Sequence, residues 1–133
     1  MPFIMKVADG KLPQLNVFGS DYPTKDGTGV RDYIHVVDLS IGHIRAIERI
    51  KNTTGITAYN LGTGVGYSVL DIVNAFERVN EVKVPFTMAP RRAGDVAQCY
   101  ADPEKAGKEL CWQATRGLDE MCRDSWNYVV HNR

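Results

Sequence analysis

Thr57-Ala58-Tyr59-Asn60-Leu61, then Gly62-Thr63-Gly64-Val65-Gly66, then Ser68-Val69-Leu70-Asp71 is the stretch on which the fold class turns. The first five residues have the apolar look of an internal strand. The next five hold three glycines and read as a turn. Ser68 with Asp71 resembles a capping box, in which hydroxyl and carboxylate each take a backbone N–H, and it predicts a helix from Val69 to about Val79. Working upstream, Leu39, Ile41, Ile44, Ile47 and Ile50 approximate one apolar helix face, with Asp38 expected as its N-cap and Gly55 as its stop. Val30 to Val37 reads as a strand, and Leu15 to Phe18 as a shorter one beyond the turn-rich loop from Gly19 to Gly29. Pro2 to Ala8 reads as a short apolar helix. Downstream, Val84 to Met88 predicts a fourth strand, Asp102-Pro103 opens another helix, and a last helix runs from about Leu118 to Val130. Strands and helices alternate, so the class is α/β. The strands are few, and the chain offers the Thr57–Leu61 strand few partners.

The 133 residues suit one domain or part of one. At 44% hydrophobic and 24% charged, the composition is that of an ordinary globular protein. Formal net charge is zero, so nothing in the balance points to nucleic acid or a membrane surface, and a phosphate site has to come from local placement of Arg and Lys. The three cysteines, Cys99, Cys111 and Cys122, form no CxxC pair and fit free thiols in a reducing cytoplasm. No apolar run is long enough to span a bilayer, and the Met1–Lys6 segment does not read as a signal peptide.

Candidate chemistry narrows by elimination. Gly62, Gly64 and Gly66 give G-x-G-x-G, and Tyr67 stands where the dinucleotide fingerprint needs its third glycine. The turn is structural or touches a phosphate, and spacing leaves both open. No tyrosine is followed four places on by lysine, which removes the Tyr-x-x-x-Lys pair of the short-chain dehydrogenases. His35, His43 and His131 are too dispersed for a metal pair. The cysteines have no obvious His partner. Arginine remains: Arg31 follows Gly27-Thr28-Gly29, and Arg91-Arg92 precede Gly94-Asp95. Guanidinium groups match phosphate oxygens in pairs and stay charged at working pH. They could converge on a diphosphate, or simply pair with Asp32 or Asp95 at the surface.

Arg31-Asp32-Tyr33-Ile34-His35-Val36, followed by Asp38-Leu39, resembles the shared signature of the extended short-chain dehydrogenases that act on nucleotide sugars. Asn16-Val17-Phe18-Gly19, Asp21-Tyr22-Pro23-Thr24, Asp26-Gly27-Thr28-Gly29, Tyr59-Asn60-Leu61-Gly62 and Pro90-Arg91-Arg92-Ala93-Gly94-Asp95 narrow the resemblance to the UDP-glucose 4-epimerases, over essentially the whole chain. The resemblance implies an α/β fold: the C-terminal, UDP-sugar-binding part of such an enzyme, lacking most of its Rossmann sheet. The strand-turn-helix at about 57–80 would then pack on an NAD-binding domain that this sequence does not contain. Met1 resembles an internal methionine of the family, so a fragment is expected.

The same resemblance implies the site. Asn16, Val17 and Phe18 would lie along the uridine, Arg31 and Arg92 would bind the diphosphate, and Asp95 would contact the ribose. Cys99 matches a position lining the sugar pocket, where a small residue admits N-acetylated sugars. Ala93 departs from the Glu often found between Arg and Gly. The implied reaction interconverts UDP-galactose and UDP-glucose through a 4-keto intermediate, with NAD bound by the absent N-terminal domain and no catalytic residue in this chain. A homodimeric, cytoplasmic full-length enzyme is expected, with UDP-N-acetylhexosamines as further substrates and the isolated chain inactive. Other readings are a stand-alone UDP-sugar-binding module, an inactive remnant, or another nucleotide-sugar short-chain dehydrogenase.

Overall fold

The computed structural model describes residues 1–132, and its order is α1 (Pro2–Ala8), β1 (Leu15–Phe18), β2 (Val30–Asp32), α2 (Val36–Ile50), β3 (Gly66–Ser68), α3 (Val69–Asn80), β4 (Phe86–Ala89), β5 (Gln98–Cys99), α4 (Glu104–Leu110) and α5 (Leu118–His131). β1 pairs with β4 in parallel, Leu15 opposite Phe86. β2 is the centre of a second sheet, antiparallel to β3 and parallel to β5, with Arg31 opposite both Tyr67 and Cys99.

The main core forms where α3 packs on α5. Ile72, Val73, Ala75 and Phe76 present one face of α3, at the spacing that lines up successive helical turns. They meet Cys122, Ile4, Val7, Leu15, Val17 and Val84, and the Phe76 ring stands edge-on to Trp126 at 5.8 Å between centroids. The expected capping box holds α3 at its start: Ser68 Oγ accepts from the Asp71 N–H, and the Asp71 carboxylate accepts from the Ser68 N–H. A second cluster gathers Ala106, Leu110 and Trp112 against Ile34, Leu61 and Tyr59.

Several expectations need correction, and they fall into three groups. The strand from Val30 stops at Asp32 instead of reaching Val37, and Val36 is already helical. His35, not Asp38, caps α2: its Nδ1 accepts from the Val37 N–H at 3.1 Å. Asp38 is instead buried in the first turn, where its carboxylate takes the N–H groups of Thr115 and Arg116 and the Arg116 guanidinium. That choice turns α2 around. It packs through Asp38 and Gly42 against Leu61 and Trp112, and the face predicted to be its apolar inside points out, Ile44 and Ile50 being 55% and 68% exposed.

The second correction concerns residues 57–61, which form no ladder among the described residues; the strand at this place in the chain is β3, immediately before α3. The third is small. β4 starts at Phe86 instead of Val84, because the Val84 N–H is taken by the Glu77 carboxylate and its side chain is buried in the core. α4 begins at Glu104 with Pro103 at its N-cap, one place later than the sequence suggested.

Candidate functional site

β1 sets the floor. Its side chains alternate, Leu15 and Val17 into the core and Asn16 and Phe18 outward. The Leu15 and Gly19 N–H groups donate to Pro85 and Ala89, so the odd-numbered residues face β4. The backbone N–H and C=O of Asn16 and Phe18 therefore turn to the other edge of β1, which has no strand partner among the described residues. A cavity of about 810 Å³ opens along that edge.

One strand and one loop bring charge to its rim. β2 carries Arg31, whose Nη1 donates to the Val30 carbonyl at 2.7 Å, and the segment after β4 carries Arg92 and Asp95. Arg92 Nε donates to Asp95 Oδ2 at 2.9 Å, and its guanidinium lies 4.9 Å from the Phe18 ring centroid. Arg31 Nη2 stands 4.0 Å from Asp95 Oδ1. One carboxylate thus sits between two guanidinium groups at the mouth of a mostly apolar cleft. Of the surface pairings expected with Asp32 or Asp95, Arg31 and Arg92 take Asp95, whereas Arg91 pairs with Asp21. A dianionic ligand of the right length could displace that carboxylate from both arginines at once.

Six of the seven residues expected at the site line this cavity: Asn16, Val17, Phe18, Arg31, Arg92 and Asp95. Val17 differs from its neighbours, because its side chain is 1% exposed and belongs to the core. Cys99 is outside the lining; it is exposed on β5, paired in register with Arg31. The sequence reading passed over Tyr22 and Tyr33, which also line the cleft. Burial pushes the Tyr33 phenol above its usual range, with Arg31 pulling against that shift. Neither residue carries a periodicity or spacing signal that would single it out.

The glycine-rich turn does not fit a dinucleotide. The N–H groups of Thr63 and Gly64, which would have to cradle a phosphate, both donate to the Asp32 carboxylate at 3.0 Å, and the Thr63 hydroxyl donates to it at 2.6 Å. A Cβ on Gly62 would stand 2.5 Å from Asp32 Oδ2, and one on Gly66 2.5 Å from Val30 Cγ1. These glycines therefore let the turn close around an internal carboxylate, and the anion site they form is already filled. The described residues contain no grouping of His, Cys, Asp and Glu that could hold a metal. Burial raises the Cys122 thiol to about 11, far from a nucleophile's range. Among the described residues, no helix is long and apolar enough to cross a membrane.

The family model for GDP-mannose 4,6 dehydratase matches residues 1–125. The UDP-glucose 4-epimerase of Bacillus subtilis is 63% identical over 132 residues, which are 99% of this chain and 39% of that protein. Among solved structures, UDP-glucose 4-epimerase from Bifidobacterium longum in complex with NAD+ and UDP superposes with a TM-score of 0.94 at 50% identity, over 98% of this chain and 39% of that one. The UDP-Glc/GlcNAc 4-epimerase of Campylobacter jejuni superposes at 0.86 and 35% identity, over 97% of this chain and again 39% of its counterpart. The chain spans about two fifths of the length of these relatives. It belongs to the GDP-mannose 4,6 dehydratase family, and its likeness within that family is to a C-terminal portion of the UDP-glucose 4-epimerases.

Proposed function

We propose that this chain is the UDP-sugar-holding portion of a UDP-glucose 4-epimerase that interconverts UDP-galactose and UDP-glucose. The observation that carries the reading is the pair Arg31 and Arg92 meeting over one carboxylate beside the free edge of β1. A planar pyrimidine suits the unpaired backbone groups of Asn16 and Phe18, since N–H and C=O alternate there as donor and acceptor. The diphosphate then reaches the two guanidinium groups, and a ribose hydroxyl takes over part of the Asp95 carboxylate. Each partner is a group the cleft already holds at its rim, so binding needs little rearrangement of the backbone. Residues outside this sequence hold the NAD and carry out the chemistry, consistent with a glycine turn whose donors are spent on Asp32. We place the 57–80 segment against that NAD-binding domain, and the full-length protein in the cytoplasm as a homodimer.

The test has two arms. UDP binding to the full-length protein is measured for wild type, Arg31→Ala and Arg92→Ala. A charge-assisted hydrogen bond contributes about 1.5–3 kcal/mol, so each loss is expected to weaken UDP by roughly ten- to a hundredfold while uridine changes far less. Equal losses for both ligands would mean general unfolding, and no loss for either would end the reading. The second arm assays the isolated chain with added NAD for conversion of UDP-galactose to UDP-glucose. Turnover above the enzyme-free control would show that the chain carries the chemistry itself. UDP binding without turnover in every longer version of the protein would favour the stand-alone binding module.

A further inference from the structure

Arg91 and Arg92 are adjacent in sequence and do different things. Arg92 faces the cleft. Arg91 turns away from it, and its guanidinium lies 4.0 Å from the centroid of the Tyr22 ring. Its Nε donates to Asp21 Oδ1 at 2.6 Å and its Nη2 to the Asp21 carbonyl at 2.5 Å. Three contacts from one planar cation grip two consecutive residues of the loop between β1 and β2, a geometry that a lysine cannot reproduce.

What this grip does follows from the backbone around it. The Gly19 N–H donates to the Ala89 carbonyl, and the Val30 N–H donates to the Ala97 carbonyl. Between those two points, the backbone hydrogen bond found among the described residues is internal, Asp95 to Arg92 at 3.3 Å. The segment that presents Arg92 and Asp95 to the ligand is therefore fastened at its ends and slack in its middle. Its contacts with the cleft are Arg92 over Phe18 and the distant Arg31–Asp95 pair, and a ligand must disturb the second. Arg91, two residues past the Ala89 anchor, ties the segment through Asp21 and the Tyr22 ring to the loop between β1 and β2.

The surface it grips is itself fixed. Gly19 has φ +85, and a Cβ there would stand 2.3 Å from Tyr22 Cε2 and 3.1 Å from Arg91 Cγ, so the ring and the arginine stem pack directly on its backbone. The Tyr22 N–H donates to the Gly27 carbonyl. Asp26 accepts from the Thr28 N–H and hydroxyl and from Ser68, tying the loop to the start of α3. Tyr22 is 6% exposed, yet its hydroxyl has no hydrogen-bond partner among the described residues. Its ring, and not its hydroxyl, is what the structure uses.

We propose that Arg91 is a positioning residue of the nucleotide site, a latch that holds the Arg92–Asp95 segment in its ligand-ready place by gripping Asp21 and the Tyr22 ring. The proposal rests on the diphosphate reading of Arg92. Without the latch, the segment has to be ordered each time a ligand binds, and that cost falls on affinity.

UDP affinity and melting temperature are measured in the full-length protein for Arg91→Ala, Arg91→Lys, Tyr22→Phe, Tyr22→Leu, Arg92→Ala and the double variant Arg91→Ala/Arg92→Ala. Arg91→Ala is expected to weaken UDP about three- to tenfold, and Arg91→Lys to recover only part of this. Tyr22→Phe keeps the ring and should bind UDP more tightly than Tyr22→Leu, which should resemble Arg91→Ala. If Arg91 acts through Arg92, its effect shrinks towards nothing once Arg92 is gone, a coupling that a general loss of stability would not produce. An Arg91→Ala effect undiminished in the Arg92→Ala background overturns the latch, as does wild-type affinity for Arg91→Ala. Should Arg91→Ala not fold, the Tyr22 pair decides: equal affinities for Phe and Leu overturn it. Unchanged affinity in Arg92→Ala overturns the diphosphate reading and the latch with it, whereas a loss there without one in Arg91→Ala removes the latch alone.

Discussion

Cys99 shares a register step with Arg31, and residues opposite one another on neighbouring strands project from the same face of the sheet. A sugar leaving the diphosphate at Arg31 would therefore pass the Cys99 side of β5, although Cys99 is no part of the cleft lining. Here volume decides. A Tyr ring at position 99 would fill space that the exposed Cys side chain, ending after one sulfur, leaves open, and an acetamido group cannot occupy volume that a ring already takes. The full-length protein is expected to turn over UDP-GlcNAc as well as UDP-glucose, and Cys99→Tyr to abolish the first while largely sparing the second. Steady-state rates with both sugars test this, and a wild type inactive on UDP-GlcNAc would refute the gate. At this scale the sequence spoke only in part. Arginines were the one unpaired chemistry left after elimination, but that Arg31 and Arg92 meet over Asp95 depends on β2 lying beside β5, which no local pattern records. Spacing did not separate Arg91 from Arg92; only the resemblance singled out Arg92 for the diphosphate.

Among the elements, α2 shows how a local pattern can be read correctly and assigned the wrong direction. Its isoleucines do fall on one face, and hydrophobic periodicity says nothing about whether a face is covered within the same chain. Asp38 supplies what the pattern lacked. Burial alone would raise its carboxyl, but the N–H groups of Arg116 and Thr115 and the Arg116 guanidinium outweigh that and hold it below the usual carboxylate range. It anchors the segment before α5 to α2, and the Asp38 carbonyl accepts from Trp112 Nε1 at 2.9 Å. Asp38→Asn replaces a charged acceptor of several donors by a neutral one and should cost about 1–3 kcal/mol in the full-length protein. The sign with pH is fixed by the lowered carboxyl. Its stabilisation is complete above the unfolded value of about 4 and is lost as pH falls through the lower folded value. The gap in melting temperature between wild type and Asp38→Asn should accordingly narrow on acidification below about pH 4. A gap that stays constant down to pH 2 would mean that the carboxylate's charge contributes nothing. The capping box of α3 was legible because its donors and acceptors lie within four residues; the Asp38 network was not, because its partners lie far along the chain.

For the molecule as a whole, the outward face of α2 and the extended segment after it decide how the chain behaves alone. Ile44, Ile47 and Ile50 are 55%, 60% and 68% exposed, and Ile56 is fully so. Residues 57–61 have no ladder partner among the described residues, and Tyr59 and Leu61 join the smaller core on the inward side of α2. Each large aliphatic side chain contributes roughly 1.5–3 kcal/mol when fully buried, so a row of them in water is a substantial unmet driving force. An exposed apolar row of this kind favours association with a second chain. Mutual association would use this exposed isoleucine face. The isolated chain is therefore expected to bind a hydrophobic dye and to self-associate with rising concentration. Replacing Ile44, Ile47 and Ile50 together by Gln or Glu should reduce both effects without loosening the α3–α5 core, since none of the three is buried there. Size-exclusion chromatography with light scattering, and dye fluorescence, measure the two. A monodisperse wild-type monomer with a sharp, cooperative melt and no dye uptake would show that this face needs no cover.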